Sequence, residues 1–299
     1  MHLPSLQDLR YFVAVAEHLR FSRAAEACHV TQPTLSWQIR KLEEQLGVRL
    51  FERTNKRVAL TAIAAQMLPH AQRTLLEANA IATLAASASD PLAGPLKLGV
   101  ISTLAPYLMP LLLGPLRERY PKLTIELTED VTHSLIEQLR AQRLDAALIA
   151  TEAEGDLQTA ELFREPFLAV LPQTHPLAKR KRIPEEELAP DLLVLADGHC
   201  LAAQSLTACG ASRSDLGGLR AASLETLVSM VENGYGTTLA PSLAANTFQN
   251  RNVVLRQLSG HTSRTVRLAS RKTFPRQKAL RALEETVKSA VTMVLQRTR

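Results

Sequence analysis

The chain predicts an α+β multidomain fold: an N-terminal winged helix-turn-helix, a long linker helix, and a larger α/β half. Three observations carry this prediction. Apolar residues recur at helical spacing through residues 6–46, and residues 49–61 read as a hairpin with cations near its tip. From residue 92 onward, strand-like and helix-like runs alternate. The 299 residues are 46% apolar and 21% charged, ample for two or three cores. No apolar run is long enough to span a membrane, and Met1–Asp8 lacks the basic-then-apolar order of a secretion signal, so the cytoplasm is the expected compartment.

Leu6, Leu9, Phe12, Val13 and Ala16 form the first helical stripe. A second helix follows at Phe21–Val30, with Ser22 the expected N-cap and Ala24-Ala25 permitting close approach; Cys28 reads as a small buried hydrophobe. Thr31 then caps a third helix, with Pro33 tolerated in its first turn, Leu35, Ile39, Leu42 and Leu46 facing inward, and Gly47 stopping it. Two helices joined by a short turn make a helix-turn-helix, whose second helix presents its first residues to base edges. Opposite the inward stripe stand Pro33, Ser36, Trp37 and Arg40; Gln32, Thr34, Ser36 and Trp37 are the expected base-edge residues. Arg49–Thr61 supplies the wing, whose Arg53, Lys56 and Arg57 would meet phosphates or the minor groove.

Thr61 is expected to cap a long helix reaching about Ser89. Leu68, Ala71, Leu75, Ala78, Ala82 and Ala85 alternate at steps of three and four, a seam suited to dimerisation. Asp90–Pro95 breaks it. Beyond lie a strand at 96–102, a helix at 106–120, a strand at 123–129, a helix at 132–142 and a strand at 144–150. Further strands are expected at 167–171, 192–195, 237–240 and 253–255, with helices at 201–208, 223–232 and 275–296. Ligands in such folds sit beyond strand C-termini, where Ser102-Thr103 and Thr132-His133 stand. Charge is uneven: residues 264–299 carry ten cations against two anions. No glycine-rich phosphate loop and no metal-spaced His/Cys cluster occurs, so neither a cofactor nor a metal is expected.

Three cysteines cannot build a disulfide framework, and a cytosolic pair points to redox sensing. Eight residues separate Cys200 from Cys209, and the residues between them read as helix. A helical path of that length separates the Cα atoms by about 13 Å, whereas a disulfide needs about 4.4–6.8 Å. A bond between them therefore requires the helix to unwind. A thiol redox switch needs a thiolate, access and a second thiol to condense with the first oxidation product. Cys200, at a helix N-terminus where the macrodipole favours a thiolate and beside His199, fits the first role; Cys209 fits the second.

The segment Phe21–Thr61, with Ala24-Ala25, Gln32-Pro33-Thr34-Leu35-Ser36, Ile39, Leu42-Glu43, Leu46-Gly47, Leu50-Phe51 and Arg53, resembles the winged helix-turn-helix of LysR-type transcriptional regulators. Residues 92–299 resemble their effector domain, itself similar to a periplasmic solute-binding (type 2) fold. That resemblance implies three parts: 1–61 for DNA binding, 62–91 for linkage and dimerisation, and 92–299 as effector domain. The last divides into one subdomain of 92–164 plus 267–299 and a second of 165–266. Pro106–Pro110, Tyr120–Leu123, Asp197–Leu201, Cys209 and Ser223–Leu227 narrow the likeness to OxyR-type hydrogen-peroxide sensors.

The resemblance implies a peroxidatic Cys200, a resolving Cys209, and a peroxide pocket of Thr103, Thr132, His199 and Arg271. It further implies a homotetramer built as a dimer of dimers, contacting promoter DNA and RNA polymerase; it implies no enzyme. Ala202 and Ala203 stand where typical relatives carry arginine and aspartate. That change removes a guanidinium that favours the thiolate and strengthens the helix, so a weaker or slower switch is expected. Two alternatives remain at this level. A small anionic effector would bind at Ser102, Thr103 and Thr132, with the thiols incidental. A thiol peroxidase fits less well, since the chain lacks a Cys-x-x-Cys site and an enzyme has no use for a winged helix-turn-helix.

Overall fold

In the computed structural model, residues 3–53, 58–153, 155–212 and 220–295 are described. The chain forms two compact units, Met1–Ser89 and Asp90–Arg299.

The first unit holds helices α1 (Leu6–His18), α2 (Phe21–Ala27), α3 (Gln32–Leu46) and α4 (Ala62–Ser89), with strands β1 (Phe51–Arg53) and β2 (Val58–Leu60) between α3 and α4. Ser5 and Asp8 close a capping box on α1. Its buried face is Leu9, Tyr11, Phe12, Val15 and Ala16, so the expected stripe is rotated: Leu6 is half exposed and Tyr11 and Val15 take core places. The α2 helix begins at Phe21, one residue ahead of Ser22, and has no side-chain cap. Packing decides this start, because Phe21 and Phe12 both set their rings edge-on against Phe51. Cys28 is buried as expected, and burial pushes its thiol pKa up. Thr61 does cap α4, accepting from the Ala64 amide at 3.2 Å. Ala71 is buried in this unit's core, with Leu68 and Leu75 packed against it. Farther along, Ile81, Ala82 and Ala85 are exposed.

The second unit is built on one mixed sheet. Strand β3 (Gly94–Ile101) runs parallel to β4 (Leu123–Asp130) and to β5 (Ala146–Ile149). Helix α5 (Ala105–Arg119) joins β3 to β4, and α6 (Thr132–Arg140) joins β4 to β5. β6 is a single strand, Leu157–Pro172, longer than the five residues expected. Its first part pairs antiparallel with β12 (Ser263–Arg271), and its last residues pair with β10 (Thr238–Pro241) and β11 (Val253–Leu258). β12, whose outer edge pairs with β5, and β6 therefore cross from one half of the sheet to the other. The last β6–β12 pair is Pro166 with Ser263, beyond which β6 takes its other partners.

On the far half sit β7 (Arg182–Ile183), the pair β8 (Val194–Leu195) and β9 (Arg220–Ala221), and helices α7 (Cys200–Cys209), α8 (Leu224–Glu232) and α9 (Ala245–Phe248). α10 (Gln277–Leu295) closes the chain's helical set. A continuous apolar core runs through this unit. No described helix is long and apolar enough to cross a membrane, and the described residues contain no His/Cys/Asp/Glu group able to hold a metal ion.

Candidate functional sites

In the first unit, α3 buries Leu35, Ile39 and Leu42 completely, which turns the opposite face outward. Thr31 caps it through the Thr34 amide, and the two hydroxyls lie 2.8 Å apart. Gln32, Pro33, Thr34 and Arg40 are exposed, and Ser36 is half buried. Trp37 is 59% exposed, with the Lys41 ammonium 5.5 Å above its ring. An apolar ring held in water beside a cation suits contact with sugars and phosphates. Gly47, at φ +68°, ends α3, and Glu43 reaches forward to accept from the Leu50 and Phe51 amides, fixing where the wing begins. The wing's strands pair Phe51–Arg53 with Val58–Leu60. The expected contacts Lys56 and Arg57 lie outside the described residues, as does the Arg53 side chain.

In the second unit, α7 runs unbroken from Cys200 to Cys209 and both thiols are free. Along such a helix their Cα atoms stand about 13 Å apart. His199 is the N-cap residue and Cys200 the first helical residue, half exposed; Leu201, Ala202, Ser205, Leu206 and Cys209 are buried. Burial, reinforced by the carboxylates of Glu185 and Glu186, pushes the Cys209 thiol pKa up to about 12. In this fold Cys209 is a protonated, inert sulfur. The His199 imidazole is held below its ordinary value by burial, an effect the Ala222 backbone opposes, so it is neutral at pH 7.

Strand polarity brings most of the expected pocket together. Thr103 follows the C-terminal end of β3, Thr132 follows that of β4, and the Gln204 amide donates to the Ala150 carbonyl just past β5. Gly198, at φ +96°, lies against Val131, which seats the Gly198–Cys200 turn beside the start of α6. Of the four buried side-chain polar atoms without a partner among the described residues, Thr132 Oγ1 and Gln204 Oε1 belong to these elements, the others being Ser242 Oγ and Arg276 Nε. Such atoms suit a small hydrogen-bonding molecule.

Arg271 is not part of this cluster. β12 runs antiparallel to β5, pairing Ser270 with Ala146, so Arg271 lies at the N-terminal ends of β3 and β5. There it donates to the Leu139 and Leu144 carbonyls. The arginine at Thr103 is Arg264, seven residues and roughly 23 Å of strand away. Arg264 donates to Thr103 Oγ1 at 3.0 Å and to the Thr103 carbonyl at 3.1 Å, and forms a wholly buried ion pair with Glu165. Glu165 also accepts from the Leu243 amide, next to Ser242. Sequence reading missed Arg264, Glu165 and Gln204. Gln204 was findable, since it stands one helical turn beyond Cys200.

These two sites define a class: a DNA-binding regulator with a winged helix-turn-helix joined to an α/β effector domain. Residues 6–65 match the bacterial regulatory helix-turn-helix of the lysR family, and residues 89–292 match the LysR substrate-binding domain. The chain belongs to the LysR family, among its OxyR-type members. It is 39% identical over 290 residues, 95% of each chain, to the "DNA-binding transcriptional dual regulator OxyR" of Escherichia coli K12. A "probable hydrogen peroxide-inducible genes activator" of Mycobacterium avium is 46% identical over 245 residues, covering 81% of this chain and 79% of the relative. A full-length OxyR variant from Pseudomonas aeruginosa superposes with TM-score 0.76 at 37% identity, covering 96% of both chains.

Proposed function

We propose that this chain is a cytoplasmic, hydrogen-peroxide-responsive transcriptional regulator switched by a Cys200–Cys209 disulfide. The observation that carries the reading is the placement of two free thiols at opposite ends of one intact helix, in a chain that begins with a winged helix-turn-helix. The Cys200 thiolate attacks one peroxide oxygen, the O–O bond breaks, and hydroxide leaves and is protonated to water. The sulfenic acid so formed is then attacked by Cys209, the S–O bond breaks, and a second water leaves. Two thiols are oxidised and one peroxide is reduced. Thr103, Thr132, Gln204 and Arg264 hold the peroxide and the departing oxygen, with His199 bordering the pocket.

The inertness of Cys209 in the reduced fold gives the order of events. It becomes a nucleophile only once α7 opens, carries it out of its apolar site and moves it away from Glu185 and Glu186. That refolding is relayed to Gln32, Pro33, Thr34, Ser36, Trp37, Arg40 and the wing on promoter DNA. The exposed Ile81, Ala82 and Ala85 of α4 supply a dimer seam, from which a homotetramer in contact with RNA polymerase is assembled. Cys200→Ser should retain promoter binding and lose every peroxide-dependent change in footprint. A footprint that still responds in this variant removes the redox reading.

A further inference from the structure

We infer that the effector domain carries a second small-molecule site, separate from the cysteine pocket, that takes a compact carboxylate with an apolar body. It sits where β6 exchanges partners. Pro166 pairs with Ser263 at the start of β12, while Leu168 already pairs with Gln257 of β11. A cavity of about 480 Å³ opens there, lined in part by His261 and Thr262 of the segment joining those strands. That volume falls within the usual range for small-ligand pockets, about 300–1,000 Å³.

The lining combines the buried Phe167, Leu168 and Leu258 with Arg164, Arg182 and His261. Among the described residues no carboxylate lines it. The nearby Glu185 is spent on the loop, accepting from the Gly260 amide at 2.9 Å and the Thr262 hydroxyl at 2.6 Å. The backbones of Arg164 and Arg182 are paired in the sheet, but their guanidiniums make no hydrogen bond or ion pair among the described residues. Two uncommitted guanidiniums beside apolar side chains recognise an anion attached to a hydrocarbon. The site is not the peroxide pocket seen from another side. Side chains alternate along a strand, so Arg164 and its cross-strand neighbour Thr265 face away from Glu165 and Arg264.

The test is isothermal titration of the reduced full-length chain with octanoate, with acetate and octyltrimethylammonium as controls. Octanoate should bind once per chain, with acetate and the cation at least about tenfold weaker, and R164Q and R182Q should each weaken octanoate about tenfold or more. Urea unfolding of both variants with the parent's midpoint reports that the effector unit remains folded. No saturable octanoate binding up to about 10 mM would overturn the inference, as would an affinity unchanged in the R164Q/R182Q double variant. Equal binding of the cation would also overturn it, by reducing the site to an apolar surface. Cys200→Ser should bind octanoate like the parent chain, so failure here and failure of the redox reading are distinguishable.

Discussion

Ala203→Gly tests whether α7 must come apart for the cysteines to bond. Ala203 is exposed on the helix, so removing its methyl group loses no core packing. Glycine in a helix interior costs about 1 kcal/mol relative to alanine. The reduced chain bears that cost because α7 spans both cysteines; a disulfide-bonded chain with α7 unwound does not. The destabilisation therefore falls on the dithiol alone. The midpoint potential should move about 20 mV more negative, raising the disulfide equilibrium constant about fivefold. Thr207→Ala, also exposed, strengthens the helix and should shift the potential the other way by about 10 mV. Equilibration in dithiothreitol redox buffers, followed by alkylation and mass analysis of the Cys200–Cys209 bond, measures both shifts. Urea unfolding of reduced A203G should confirm the loss of about 1 kcal/mol. Superimposable redox curves for parent and A203G would show that the helix survives oxidation, and the switching argument would fall.

Glu165→Leu leaves the buried Arg264 guanidinium without its carboxylate and should cost about 3–5 kcal/mol in urea unfolding, most of it recovered in E165L/R264M; a loss below about 1 kcal/mol would mean the pair is not desolvated. The Cys209 thiol pKa is raised in the native state, so its contribution to stability is complete below the thiol's ordinary pKa, near 9, and is lost as pH climbs toward about 12. Comparing reduced parent with Cys209→Ala by thermal unfolding between those limits should show a difference that changes by up to about 1.4 kcal/mol per pH unit. A pH-independent difference would mean that Cys209 is solvated. Arg40→Ala should weaken promoter binding across sequences and lower the slope of log affinity against log salt by about one. An unchanged slope would take Arg40 off the phosphates.

The DNA-binding half and the alternating elements of the effector half were readable because their signals are local. The Leu35, Ile39, Leu42 period, the Thr31 cap and the Gly47 stop each act within a turn or two of the residue that encodes them, and α3 follows them closely. The same holds for α7, whose ends fall on the two cysteines. The α1 stripe slipped because Tyr11 and Val15 are drawn inward by partners that its own spacing does not name.

Arg271 and Arg264 show where local reading ends. Both are arginines on one late strand. Which of them reaches Thr103 depends on β12 running antiparallel to β5, a pairing between residues more than a hundred positions apart. The burial that protonates Cys209, the Glu165 carboxylate that meets Arg264, and the notch beside Arg164 and Arg182 arise the same way. Short-range spacing is enough to choose helix or strand, because capping and apolar periodicity operate over a few residues. Charge partners, desolvation and cavities belong to surfaces that meet only when distant segments pair, and for those the folded chain is the arbiter.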